Sequence, residues 1–308
     1  MRMTKPVTGA LSGRHMLILG PGYAAREVAR RFVAGGGEVS ATLRATEHGP
    51  DPEKAHVLEA IGATPVVLDV EGRLLSPSLD GVTDLLISVP PLGESCPGYE
   101  AIATIPTPDL RWIGYYSSTA VYGDCGGAWI DETRIPDPQT RDAKARLVAE
   151  TQWAEFAKER ASALDILRIA GIYGPEGRNL IARLSLGTAK AILKPGQVFN
   201  RIHRDDIAGA TVASLLSPER RRVINLSDGA PCAASDVIFG VAEMLGLSRP
   251  ESCPIEEAGL PPVALGFYAE NRRLTNDRLC ALPGFELTYP DWRSGYAALL
   301  KDDIVTFH

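Results

Sequence analysis

The chain has 308 residues, 45% of them hydrophobic and 23% charged, with a formal charge of −6 and a pI near 5.5. This is the composition of a globular protein with a sizeable core, and its acidity argues against nucleic acid or an acidic membrane as the main partner. No apolar run approaches the roughly 18 residues that a membrane span needs. The start has no apolar segment of the secretory type, so residues 1–14 are read as a polar arm. Five scattered cysteines without a C-x-x-C pair point to a reducing, cytoplasmic setting and to no metal site.

The predicted elements alternate. HMLILG (His15 to Gly20) is a short apolar strand ending in glycine. Ala25, Val28, Ala29, Phe32 and Val33 then recur at helical spacing, with Arg26, Glu27, Arg30 and Arg31 on the other face, until Gly35 to Gly37 stop the helix. EVSATLR is a second strand, Asp51 to Ile61 a helix, TPVVLDV a third strand and TDLLISVPP a fourth. RWIGYYSS is a fifth, a long helix with Lys144 follows, and ALDILRIA is a sixth. Such alternation predicts an α/β fold, a parallel sheet with helices on both faces. After Gly171, helices are expected over about Asn179 to Leu186, Asp206 to Leu216, Ser235 to Leu245, Asn271 to Leu282 and Asp291 to Leu300, with one more strand, RRVINLS. Pro- and Gly-rich loops such as RPESCPIEEAGLPPVALG separate them. The expected organisation is a nucleotide-binding domain over 15–170 and a smaller substrate-side lobe over 171–308, of which about 201–226 returns to the sheet.

Gly20-Pro21-Gly22-Tyr23-Ala24-Ala25 forms a G-x-G-x-x-A loop between the first strand and helix. The first glycine permits the tight turn, the second lets the backbone approach a pyrophosphate, and Ala25 lets helix and strand pack closely; the helix N-terminus then faces the phosphates. NAD sites usually carry an acid about 20 residues further on. Here the second strand ends with Thr42 and Arg44 and no acid, which suits the 2′-phosphate of NADP better than the 2′-hydroxyl of NAD; otherwise Arg44 is a solvated strand-end arginine. Asp69 is a candidate for the adenine edge, and equally a cap or turn residue. Ser88, Val89 and Pro90 end the fourth strand where a dinucleotide would pass, because two prolines cannot continue the ladder.

The order of motifs resembles the short-chain dehydrogenase/reductase superfamily, in particular its extended and atypical members, the NAD-dependent epimerase/dehydratase family. The resemblance spans about Leu17 to Leu300. It rests on the glycine loop, SSTAVYGD, Lys144 on the next helix, LRIAGIYGP, RIHRDDIAGA and INLSDGAP. It implies a Rossmann-type doubly wound sheet with a smaller C-terminal substrate lobe. It implies that Ser118 hydrogen-bonds the reacting hydroxyl or carbonyl, and that Lys144 holds the nicotinamide ribose. Tyr173-Gly174-Pro175 matches the turn into the lobe, and Ile172 to Asn179 are set near the pocket. A homodimer through the Lys144 helix is an expectation of the same kind.

Two departures bear on chemistry. The family's catalytic tyrosine belongs four residues before the lysine, and that position is Thr140. A phenol can be tuned to exchange a proton near neutrality, whereas a threonine hydroxyl is far too weak an acid. The arginine with which sugar-nucleotide enzymes grip the diphosphate belongs four residues before His203, and that position is Phe199. Arg201 suits a smaller anion instead. His203 reads as a hydrogen-bonder at the lobe junction rather than a base, and Asp205 and Asp206 as caps of the next helix. In CGGAWIDET the glycines suit a mobile or closely approaching loop, with Trp129 as a roof over the pocket. The expected function is an NADP-dependent oxidoreductase or epimerase acting on a small non-nucleotide substrate, or a non-catalytic NADP-binding regulator.

Overall fold

Each apolar run of the first half forms a parallel strand. The computed structural model describes residues 9–75, 79–93, 95–106, 110–176 and 180–306; most of the expected polar arm, and residues 177–179 of the stretch set near the pocket, lie outside them. In chain order the sheet-forming segments are β1 (His15–Leu19), β2 (Glu38–Thr46), β3 (Ala63–Leu68), β4 (Asp84–Ile87), β5 (Trp112–Ser118) and β6 (Ala163–Ile169). Two three-residue strands, β7 (Gly171–Tyr173) and β8 (Arg201–His203), pair with each other, and β9 (Arg222–Leu226) rejoins the main sheet. The order across that sheet is β9-β6-β5-β4-β1-β2-β3, parallel throughout, with a two-residue antiparallel strand, Gly49–Pro50, added to the end of β2. This is the Rossmann order. It reverses between β1 and β4, where open α/β sheets bind ligands beyond the carboxyl ends of their strands.

Helices cover both faces. On one, α1 (Tyr23–Ala34) buries Ala24, Ala25, Val28, Ala29 and Phe32 in the same cluster as Ile207, Ala208 and Ala210 of α5 (Arg204–Leu216). On the other, α4 (Arg141–Glu159) buries Trp153, Phe156 and Ala157 against Leu85, Ile113 and Ile166, with α3 (Pro97–Ile102) alongside; α2 (Pro52–Ala60) precedes β3. At the amino end of the sheet the Trp112 ring lies over Gly114, where a Cβ would come within 2.1 Å of it. Asp165 accepts from Trp112 Nε1 at 2.6 Å and from Arg222 at 2.7 and 2.8 Å.

The C-terminal third has its own cluster, in which α6 (Ala234–Met244) and α7 (Trp292–Thr306) pack Val237, Val241, Trp292 and Tyr296 against Tyr173. Three expectations are corrected there. Asn271 to Leu282 is not one helix. Arg273–Leu274 pairs as a strand with Trp129–Ile130, and only Asp277–Cys280 is helical, because the backbone of 271–275 is bonded to the 125–130 loop. Pro262–Ala269, read as loop, is a helix, with Pro262 in its first turn where a missing N–H costs nothing. The cap of α5 is His203, whose Nδ1 accepts from Asp205 N–H at 3.2 Å, while Asp206 accepts from Thr288 N–H (2.8 Å) and Tyr289 N–H (3.0 Å).

Candidate active site

The glycine loop lies at the switch point. Gly20 has φ +76°, and a Cβ there would sit 2.7 Å from Val89 Cβ and 2.8 Å from Val89 Cα and N. Only glycine fits that left-handed, backbone-to-backbone contact. Val89 N–H and Ser88 N–H both donate to Leu19 O, at 3.0 and 2.9 Å, which fixes the end of β4 beside the loop. Thr42, buried in the middle of β2, accepts from Gly20 N–H through Oγ1 at 2.9 Å. The N-terminus of α1 has Gly22 as its cap, which has no side chain to bond the first turn, so the positive end of the helix is directed at the switch point. Ala25 is fully buried, which lets α1 lie close to the sheet. The Tyr23 hydroxyl donates to Pro175 O, tying the loop to the turn after β7.

Arg44 is exposed at the end of β2, and its guanidinium passes over Gly72, where a Cβ would approach Nη2 to 2.6 Å. No hydrogen bond or ion pair engages it among the described residues. With Arg73, Leu92, Ser95 and Glu100 it lines a cavity of about 260 Å³. Asp69 serves its own turn: Oδ1 accepts from Glu71 N–H (3.0 Å) and Arg73 N–H (2.8 Å), and Oδ2 from Arg73 Nε (2.8 Å). Those Arg73 contacts hold its carboxyl below the usual range.

Ser118 ends β5 half-buried, and its Oγ accepts from Ala120 N–H at 3.2 Å as the chain turns into a short 3-10 segment. Thr140 is the N-cap of α4: its Oγ1 accepts from Ala143 N–H at 3.2 Å, and its carbonyl from Lys144 N–H at 3.0 Å. Lys144 is exposed on the first turns of that helix. With Arg141, Ala145, Val148 and Gly93 of the loop after β4 it lines a second cavity, of about 660 Å³. Pro90 lies exposed on the β4 side.

Beneath Ser118 runs a polar row that the sequence did not disclose. Ser117, Arg168 and Asn225 are direct neighbours across β5, β6 and β9. Glu150 of α4 accepts from Ser117 Oγ (2.6 Å), Arg168 Nε (3.0 Å) and Arg168 Nη2 (2.7 Å), with both members of the ion pair buried. Arg168 also stacks 4.7 Å from the Tyr122 ring, whose hydroxyl donates to Asn225 Oδ1 at 2.7 Å. The Ser117–Glu150–Arg168 part of the row is buried and bonded, which makes a firm base for the serine above it, while Asn225 Nδ2 is buried with no partner among the described residues.

At the lobe junction His203 is buried between Tyr173 and Tyr289, at ring distances of 5.1 and 4.0 Å. Burial, with Arg204 and Arg31 nearby, outweighs Asp205 and lowers its pKa to about 4, so the ring is neutral. Arg201 is half-buried, and Nη1 donates to Phe199 O (3.0 Å), Cys232 O (3.3 Å) and Cys232 Sγ (3.2 Å). Trp129 is 56% exposed. Its loop is of the closely approaching kind: Cys125 and Gly127 N–H donate to Asn271 O at 3.0 and 2.8 Å, and Asn271 N–H donates to Asp124 Oδ1 at 2.7 Å. Sequence reasoning also missed Asp228, although INLSDGAP was one of the motifs it used.

The chain is 39% identical to a conserved protein of unknown function from Silicibacter pomeroyi DSS, over 94% of this chain and 99% of that one, with a TM-score of 0.85. It belongs to the family of that protein. A structure classed as an NAD-dependent epimerase/dehydratase, from Methylobacillus flagellatus, is 27% identical over 95% of this chain and 99% of its own, with a TM-score of 0.67. Protein YeeZ of Escherichia coli K12 is 26% identical over 90% of this chain and 97% of its own length. No protein-family model matches. The structural neighbours are therefore NAD-dependent epimerase/dehydratase proteins, and the chain shares their fold.

Proposed function

We propose that the chain binds a nicotinamide dinucleotide across the β1–β4 switch point, as NADP in preference to NAD, and acts as an oxidoreductase or epimerase on a small non-nucleotide substrate. The observation that carries the reading is the contact of Gly20 with Val89 beside the uncapped start of α1. It leaves a backbone-lined cradle for a pyrophosphate, with amides directed at it. Gly20, Gly22, Tyr23 and Ala25 form the cradle, Thr42 holds it from below, and Val89 and Pro90 lie on its far side. Arg44, without a partner among the described residues and beside a cavity, favours a 2′-phosphate; the pairing of Asp69 with its own turn supports its reading as a turn residue over the adenine edge. When bound, the dinucleotide supplies a hydride donor or acceptor.

The chain's own contribution is orientation. Ser118 offers a hydroxyl on a firm base, and Lys144 offers an ammonium that is unpaired among the described residues. Thr140 supplies no acid of useful strength, so proton transfer falls to another group. Phe199, in the place of a diphosphate-gripping arginine, disfavours nucleotide sugars. A second reading, a non-catalytic NADP-binding regulator, is favoured by one observation: the Thr140 hydroxyl is committed to capping α4.

Fluorescence titration of the purified protein with NADPH and NADH tests the proposal. Binding of NADPH at least about tenfold tighter than NADH is expected, the margin of one charge-assisted contact. Tighter NADH binding overturns the cofactor preference, and binding of neither overturns the reading. A screen of carbonyls and alcohols that finds no turnover in a protein holding NADPH tightly selects the regulator.

A further inference from the structure

Where β7, β8 and the segment after β9 meet, an arginine and a carboxyl lie on adjacent stretches of chain among aromatic rings. Asp228 N–H donates to Arg201 O at 2.7 Å, which seats the two residues side by side. Asp228 is 5% exposed. Its Oδ1 accepts from Ala230 N–H at 3.0 Å, and its Oδ2 is buried with no partner among the described residues. The contacts of Arg201 all run through Nη1, leaving Nε and Nη2 unengaged among the described residues. Phe199 and Tyr268, in edge contact at 5.1 Å, stand half-buried beside the arginine; Tyr173 and Tyr296, stacked at 5.3 Å, lie buried behind it.

A buried carboxyl oxygen without a partner costs free energy until a ligand or a proton satisfies it. The same holds for the unused edge of a guanidinium, whose fork matches a carboxylate. We propose that Arg201 and Asp228 form a binding site for a small monocarboxylate with an apolar body, Arg201 gripping the anion and protonated Asp228 donating to one of its oxygens. This names the substrate class of the proposed enzyme and rests on that reading.

The charges around the site select a monoanion. The charged and titratable groups close enough to act on Asp228 are Arg201, Asp206, Asp291, Tyr173 and Cys232. Asp206 is satisfied by two backbone amides and Asp291 Oδ1 by Ser294 N–H at 2.7 Å. Those two acids repel a dianion such as phosphate, while one guanidinium balances one carboxylate. Burial raises Asp228 to about 7, ahead of the opposing effects of the Ala230 amide and Arg201. An anion bound beside it favours the protonated form further, so binding takes up a proton and weakens as pH rises past neutrality.

Calorimetric titration with benzoate, benzamide and inorganic phosphate tests this on the full chain, with NADPH binding measured on the same samples. Benzoate is expected to bind up to about tenfold tighter near pH 6 than near pH 8, and to bind in preference to benzamide and phosphate. Arg201→Ala, or Arg201→Gln if the first fails to fold, should abolish benzoate binding while NADPH still binds. Asp228→Asn should retain binding and lose its pH dependence. Preference for phosphate or benzamide, equal benzoate binding at both pH values, undiminished binding in both Arg201 variants, or an unchanged pH profile in Asp228→Asn overturns the inference. So does absence of benzoate binding in a protein that binds NADPH; absence of NADPH binding instead strikes the functional reading beneath it.

Discussion

Gly20 and Val89 meet backbone to backbone across the switch point, and no side chain fits between them. Gly20→Ala would force a Cβ against Val89 from a left-handed φ. A loss of about 1–3 kcal/mol is expected, read as a lower Tm, together with loss of NADPH binding by fluorescence. A variant that melts normally and binds NADPH normally would refute the cradle.

Arg44 lies over Gly72 and has no partner of its own among the described residues. Arg44→Ala should lower NADPH affinity about tenfold or more and leave NADH affinity within about twofold. Equal losses for both cofactors would assign Arg44 a packing role.

Thr140 caps α4. Thr140→Ala should cost about 1 kcal/mol by urea denaturation, with NADPH binding unchanged. Thr140→Tyr should bear the same cap loss, so a gain of turnover in that variant would come despite lower stability, and would show that Ser118 and Lys144 are already arranged for a phenol.

The Glu150–Arg168 pair is buried on both sides. Glu150→Ala strands a charged guanidinium and should cost about 3–5 kcal/mol. Glu150→Gln, which still accepts hydrogen bonds, should cost less. Equal and small losses would place the pair in contact with water.

His203 and Asp228 push the pH dependence of stability in opposite directions. The folded pKa of His203 falls from 6.5 to about 4, so its contribution is present above 6.5 and is lost as pH falls through 4. That of Asp228 rises from 3.8 to about 7, so its contribution is present below 3.8 and is lost as pH rises through 7. Asp228→Asn should therefore gain stability relative to the parent from about pH 4 to pH 7, by roughly 1–4 kcal/mol. His203→Gln should flatten the loss on acidification. Chemical denaturation across pH checks both; parallel profiles for parent and variants would contradict the burial argument.

The Rossmann half was legible because its signals are local. Gly20, Gly22 and Ala25 lie within one turn of chain, and the strands announce themselves as apolar runs. Legibility failed where a residue's partner is remote. Nothing near Asp228 in the sequence indicates that Arg201 and Asp291 converge on it, and nothing near Glu150 points to Arg168. The helix over Pro262–Ala269 was hidden by its prolines, which read as breakers but sit where a first turn tolerates them. Spacing singled out Thr140, but its cap geometry appears only once the start of α4 is fixed.

Asn271 bonds the 124–127 loop from 147 residues further along the chain. The strands β1 to β6 can pair before that partner has been synthesised, but the loop beside Ser118 cannot close until it arrives. The proposed cofactor cradle and the loop after Ser118 are therefore completed at different stages of chain growth. A chain cut short before residue 271 would retain the cradle's sequence and lack the anchor that holds Cys125 and Gly127 in place.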